Sequence, residues 1–220
     1  MSIFMFENEI INNSWFRKCH KSNIPKIFIN KTINDIKIIG SPKEKKINQK
    51  NINSLKDYLD DLKENVSSAR GVIFCGPFGI GKTLMMSIVA QEVIGLFGKI
   101  NSSIRESEFH NKLYFVLSNT LLDLIYRNNL TEEEIKIRRG VKSVSALCID
   151  DILKFKRTKS EIEMDFLDEI LRTRYYNGLV TFITSQVSYE ELRKQMPRSI
   201  LELLENNIVL TFVGDSQRGK

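Results

Sequence analysis

The sequence predicts an α/β chain with a parallel sheet sandwiched between helices, and three observations carry that prediction. Apolar strand-like runs alternate with helical periodicities along most of the chain, the pattern that builds a parallel sheet with helices on both faces. Residues 72–83, Val-Ile-Phe-Cys-Gly-Pro-Phe-Gly-Ile-Gly-Lys-Thr, join one such strand to one such helix through a glycine-rich loop. Polar or acidic residues end two further strand-like runs, at Asp150-Asp151 and at Thr184-Ser185-Gln186. In such sheets ligands sit at the carboxyl ends of the strands, and all three features fall there.

The glycine-rich stretch is the most specific signal. Gly76-Pro77-Phe78-Gly79-Ile80-Gly81-Lys82-Thr83 fits G-x-x-x-x-G-K-[ST], with a strand before it and helical spacing after it (Leu84, Ile88, Val89, Val93). Glycines let the backbone curl so that successive N–H groups face phosphate oxygens, and the new helix adds its positive N-terminal end. Lys82 supplies a cation for the β/γ-phosphates, and the Thr83 hydroxyl is placed to ligate Mg²⁺. Residues 76–84 are therefore the candidate nucleotide-binding set.

The length of 220 residues, 42% hydrophobic and 27% charged, suits one large domain with a short extension. A net charge of +6 fits a nucleic-acid partner, although a Lys-, Asn- and Ile-rich composition gives the same balance without one. The three cysteines, at 19, 75 and 148, are too scattered for a disulfide framework or a Cys-x-x-Cys site. His20 and His110 have no partner at zinc spacing. The apolar start is cut by Glu7 and Glu9, unlike a signal peptide, and no apolar run reaches the ~20 residues of a membrane span. A cytoplasmic protein with no membrane contact is expected.

Along the chain, residues 1–20 offer an apolar face (Ile3, Phe6, Ile10) to pack inward or to meet a partner. Residues 21–50 read as an extended strap with a solvated basic linker over 43–50, after which a helix starts near Ser54 with Leu55, Tyr58, Leu59, Leu62 and Val66 on one face. The expected division is a 1–46 extension and strap, then a 47–220 nucleotide-binding domain. Residues 98–111 read as a surface loop and Leu113–Leu117 as a buried strand. Ser118 or Asn119 caps the next helix, and Thr131-Glu-Glu-Glu134 opens another that stops before Gly140.

Val144–Ile149 runs as a strand into Asp150-Asp151, one strand–helix unit beyond the glycine loop. Asp150 can hold Mg²⁺ through water, and Asp151 can polarise an attacking water. The basic run Lys154–Lys159, with Phe155 in it, reads either as a DNA-backbone contact or as a solvated loop. An amphipathic helix over 161–176 (Ile162, Phe166, Ile170, Tyr176) stops at Asn177-Gly178. The strand Val180–Thr184 ends in Ser185-Gln186, placed to sense the γ-phosphate or orient water. Two short helices, 188–195 and 199–206, lead to a last strand over 208–213 and a polar tail.

These motifs resemble those of the DnaC/DnaI-like helicase loaders of the AAA+ ATPases and the related IstB transposition helpers. The resemblance runs from Ile24-Pro25-Lys26 through 76–83 and Ile149-Asp-Asp-Ile152. It continues through Asp168-Glu-Ile-Leu-Arg-Thr-Arg-Tyr-Tyr-Asn177 and Thr184-Ser185 to Leu210-Thr-Phe-Val-Gly-Asp-Ser-Gln-Arg218. It implies an AAA+-type P-loop NTPase with little or no C-terminal lid, binding ATP, Mg²⁺, single-stranded DNA and a replicative helicase, with possible self-assembly. Carried over by motif, Lys82 and Thr83 hold ATP and Mg²⁺, Asp150 and Asp151 serve hydrolysis, and Arg218 is a second arginine sensor. Gln186 stands where the family has an Asn sensor. Leu203 stands where it has an arginine that reaches a neighbouring subunit, Arg198 lying one turn earlier. The family's separate helicase-binding N-terminal domain is expected to be reduced to a short segment or absent. A transposition helper and a nucleotide-binding adaptor with little turnover are the alternative readings.

Overall fold

A computed structural model describes residues 18–19, 21–99, 112–126, 129–152 and 161–216. Five parallel strands form one sheet: β1 (Val72–Cys75), β2 (Leu113–Leu117), β3 (Ala146–Asp150), β4 (Val180–Ser185) and β5 (Ile208–Thr211). Their order is β2-β3-β4-β1-β5. The register sets Cys75 beside Ser185 and Ile149 beside Ile183. The strand of the glycine loop and the strand of the acids are therefore not neighbours. β4 lies between them and brings Thr184 to both.

Side chains alternate across a strand, so each strand feeds two cores. Phe74, Cys148, Phe182 and Leu210 face one layer, made by α1 (Pro42–Asp60), α2 (Leu62–Ser67) and α3 (Lys82–Lys99). Ile73, Ile149 and Ile183 face the other, made by α4 (Ser118–Tyr126), α5 (Glu132–Ser143), α6 (Glu161–Tyr176), α7 (Tyr189–Gln195) and α8 (Arg198–Leu204). β1, β3 and β4 are buried along their whole length, as parallel strands covered on both faces must be.

Several expected boundaries shift. The first long helix begins at Pro42 rather than near Ser54, so the basic stretch 43–50 is helical and α1 runs through positions 46 and 47. Ser41 caps it in a reciprocal box with Glu44, and Pro42 occupies the first turn, where its missing N–H costs nothing. Lys43, Lys45, Lys46 and Lys50 line its solvent side, while Asn48, Ile52, Leu55 and Tyr58 are buried. The strap before it contains two 3₁₀ turns, Lys26–Phe28 and Ile33–Asp35. Gln91 of α3 fastens it by accepting from the Asn30 N–H at 2.7 Å and donating to the Phe28 carbonyl at 3.0 Å.

The Thr131–Glu134 capping box forms, yet α5 continues through buried Gly140 to Ser143. In α6, Phe166, Leu167, Ile170 and Leu171 are buried, while Ile162 and Tyr176 at its ends are exposed. The expected loop 98–111 lies largely outside the described residues, as does the segment 1–17. No helix among the described residues is long and apolar enough to cross a membrane.

Candidate functional site

The carboxyl end of the sheet gathers the loop 76–83, Asp150, Asp151, Thr184 and Gln186. Gly76, Gly79 and Gly81 all have positive φ (136°, 81° and 95°), which L side chains rarely adopt. Gly76 and Gly79 also meet close neighbours: a Cβ on Gly76 would overlap the Phe212 carbonyl oxygen, and one on Gly79 the Ser216 side chain. Buried Ile80 anchors the loop, Leu84 is half-buried, and Pro77 and Phe78 face outward. The loop opens into the first turn of α3, whose unpaired N–H groups form a positive pole.

Lys82 is 6% exposed, and its Nζ donates to the carbonyls of Gly76 and Pro77, both at 2.7 Å. Burial lowers its pKa, against the raising influence of the Asp151 and Asp150 charges. The Thr83 hydroxyl donates toward the Asp150 carboxylate, 3.1 Å from each oxygen. Thr184 Oγ1 donates to the same carboxylate at 2.6 Å. Asp150 is 5% exposed and burial raises its pKa, with the neighbouring Asp151 charge acting the same way and the Thr184 and Thr83 hydroxyls opposing.

Asp151 takes a left-handed backbone (φ 60°), uncommon outside glycine and tolerated best by Asp and Asn. Hydrogen bonds to three described residues help hold it. Its N–H donates to Thr184 Oγ1 at 2.9 Å, and its carbonyl accepts from Ser118 Oγ at 2.6 Å. Its carboxylate accepts from Gln186 Nε2 at 3.0 Å. One threonine hydroxyl thus serves both acids, accepting from one and donating to the other.

Two of these residues escape the sequence reading. Ser118 looks like a helix cap, but α4 starts on it directly and its hydroxyl goes to Asp151. The register pairing Leu117 with Asp150 places it there. Thr184 was visible as part of a strand tip without a distinct role. Arg218 and the run Lys154–Lys159 lie outside the described residues.

Chemically, the loop offers donors and a buried ammonium to an anion, while Thr83 and Asp150 offer the hard oxygens that Mg²⁺ takes. No cluster of three His, Cys, Asp or Glu among the described residues forms a separate metal site. The raised pKa of Asp150 fixes a sign. A carboxyl whose folded value lies above its unfolded value binds more protons when folded, so stability falls as pH rises through that window. Asp150→Asn, measured without nucleotide or metal, is expected to melt above wild type at pH 7. The gap should close toward pH 4.

No protein-family profile matches the chain. In sequence it is 27% identical over 143 residues to the replicative helicase loader DnaI of Bacillus subtilis (strain 168), covering 62% of this chain and 39% of that protein. The match thus spans about two fifths of that relative's length. In structure it superposes on DnaI with a TM-score of 0.62 at 20% identity, covering 88% of this chain and 94% of that one. The DnaC helicase loader superposes with a TM-score of 0.61 at 18% identity, covering 86% and 99%.

The chain resembles the DnaC/DnaI-like helicase loaders. Its fold is the AAA+-type P-loop fold, and no helix follows β5 among the described residues. Within that fold the site of this chain is a glycine loop after β1, an acid pair at the end of β3 and a polar strand tip on β4 between them.

Proposed function

We propose that the chain is an ATP-binding, DnaC/DnaI-like AAA+ protein of DNA replication: a helicase loader that binds Mg²⁺·ATP and single-stranded DNA in the cytoplasm. The observation that carries this is the convergence of Thr83, Thr184 and Gln186 on the acid pair Asp150-Asp151, beside a glycine loop of the right geometry.

The N–H groups of 78–84 and the Lys82 ammonium bind the phosphates, with Lys82 leaving the Gly76 and Pro77 carbonyls for them. Thr83 and Asp150 would hold Mg²⁺, which when bound neutralises charge on phosphate oxygens. Asp151, oriented by Gln186 and pinned through its backbone by Ser118 and Thr184, is placed to accept a proton from water. Arg218 serves as the second sensor in this reading.

A second reading, a nucleotide-holding adaptor with little turnover, is favoured by one observation. Leu203 packs against the second core, and the arginine nearest to it in α8, Arg198, is 92% exposed in its side chain and pairs with Glu202. ATP turnover measured with single-stranded DNA, at concentrations that allow self-assembly, separates the two.

The loader reading is tested by recovering the tagged chain from its own cells in the presence of ATP. A replicative helicase is the expected companion. A transposase in its place would support a transposition helper, and the absence of both would overturn the loader reading. Purified chain should also bind single-stranded DNA with an affinity that falls steeply as salt rises.

A further inference from the structure

Asn48 is a buried polar side chain that the site itself does not use. It lies about two turns into α1, 3% exposed, beside the sheet edge formed by β5. Its Nδ2 donates to the Val213 carbonyl at 2.8 Å, and its Oδ1 accepts from the Val213 N–H at 3.0 Å. These are the two bonds that a neighbouring strand would supply to an edge. Asn51, on the next turn of α1, donates to the Thr211 carbonyl at 2.6 Å.

The two asparagines grip different things. Thr211 belongs to β5, already held by its pairing with Cys75 of β1. Val213 belongs to the segment that leaves β5, has no regular structure of its own and crosses the phosphate loop. Phe212 lies against Gly76 so closely that only a glycine fits there, and Ser216 lies likewise against Gly79. Segment 212–216 is tied to β1 at its start, where the Phe212 N–H donates to the Cys75 carbonyl at 2.8 Å, but beyond that bond α1 grips it at Val213 and the loop touches it at both ends.

We infer that Asn48 is a positioning residue for the phosphate loop: it clamps the 212–216 segment against Gly76 and Gly79, which makes α1 part of the nucleotide site. The inference rests on the reading of the loop as an ATP site. An apolar residue at 48 would suit the burial better but would leave the N–H and carbonyl of Val213 unpaired at the sheet edge. By linkage, nucleotide seated in the loop tightens the α1–segment contact in return.

The test compares wild type, Asn48→Ala and Asn51→Ala by amide hydrogen exchange without nucleotide and by titration with ATP. Asn48→Ala loses two bonds of a buried amide and Asn51→Ala one bond of a half-buried amide on the same helix, so a purely structural role predicts losses confined to α1 and the sheet edge, with the loop unaffected in both. The clamp predicts a difference. In Asn48→Ala, amides of 213–216 and of the loop should exchange about tenfold faster, and ATP affinity should fall about tenfold, the equivalent of losing one to two net hydrogen bonds. Asn51→Ala should stay within about twofold of wild type in both, judged against the same tenfold scale. Should Asn48→Ala fail to fold, Asn48→Asp keeps the acceptor for the Val213 N–H and removes the donor, with the same direction expected. Equal shifts in the two alanine variants, or unchanged loop exchange in Asn48→Ala, would overturn the inference. Failure of wild type to bind ATP would instead overturn the reading of the loop, and the exchange comparison would still decide the clamp.

Discussion

Lys82→Ala is expected to lower ATP affinity by about a hundredfold or more while leaving the fold intact. In the structure the ammonium sits 2.7 Å from two loop carbonyls, buried and, among the described residues, without a carboxylate in hydrogen-bond contact. Its charge is thus only partly compensated, and phosphate oxygens are better partners than neutral carbonyls. Charge-assisted bonds are worth about 1.5–3 kcal/mol each, and losing two of them removes at least two factors of ten. Alanine also lifts the cost of burying an ammonium, so the melting temperature should move by no more than a few degrees at about 2–4 °C per kcal/mol. Titration with ATP and a thermal melt of the same sample check both halves. Wild-type affinity in this variant would remove the loop from the account.

Arg174→Met is expected to lower the melting temperature by about 10 °C, with nucleotide affinity of the folded protein unchanged. Arg174 is fully buried in α6 and, among the described residues, meets no carboxylate as a hydrogen-bond partner. Its guanidinium donates to Thr181 Oγ1 at 2.9 Å and to the carbonyls of Val141, Val144 and Val180 at 3.1, 2.8 and 2.6 Å. It thereby ties the end of α5, the entry to β3 and the start of β4 to α6. Burial pulls its pKa down to about 9, so it stays charged at neutral pH and is solvated by those carbonyls. Methionine keeps the stem but leaves the Val141, Val144 and Val180 carbonyls without this donor; at about 1–3 kcal/mol for each unsatisfied group, less the relieved cost of burying the guanidinium, the net loss is about 3–5 kcal/mol. Lysine should not rescue it, since one ammonium cannot reproduce the fork. A variant melting with wild type would show that those carbonyls find other partners.

Arg174 also shows what the sequence could and could not reveal. Its stretch was recognisable as a motif, but nothing local says that an arginine near a helix end points inward, because its partners lie on α5, on the connector after it and on β4. Strands β1 to β5 were legible because each carries a short apolar, largely β-branched or aromatic run, although only β1, β3 and β4 are buried throughout. The glycine loop and the acid pair were legible because their chemistry depends on local order. The sheet order was not, since no local signal states that β4 inserts between β1 and β3, and with it went the double role of Thr184. Ser118 was misread for the same reason: its partner is one strand away.

The start of α1 was missed for a different cause. Pro42 and the lysines after it look like a helix breaker and a solvated linker. Proline is at home in a first turn, however, and the lysines share an exposed face. The buried position that would have revealed the periodicity is Asn48, polar because it pairs with Val213 rather than with the core. Gly140 misled similarly, being a buried helix residue rather than a stop.

The central claim is that residues 76–84 with Thr83 and Asp150 make one Mg²⁺·ATP site. Calorimetric titration of ATP into the wild-type chain, once with Mg²⁺ and once with a chelator, tests it most directly. The account predicts saturable binding of one ATP per chain, tighter with Mg²⁺, with the Mg²⁺ advantage lost in Thr83→Val. An absence of saturable binding up to millimolar ATP, or binding that ignores Mg²⁺, would contradict it.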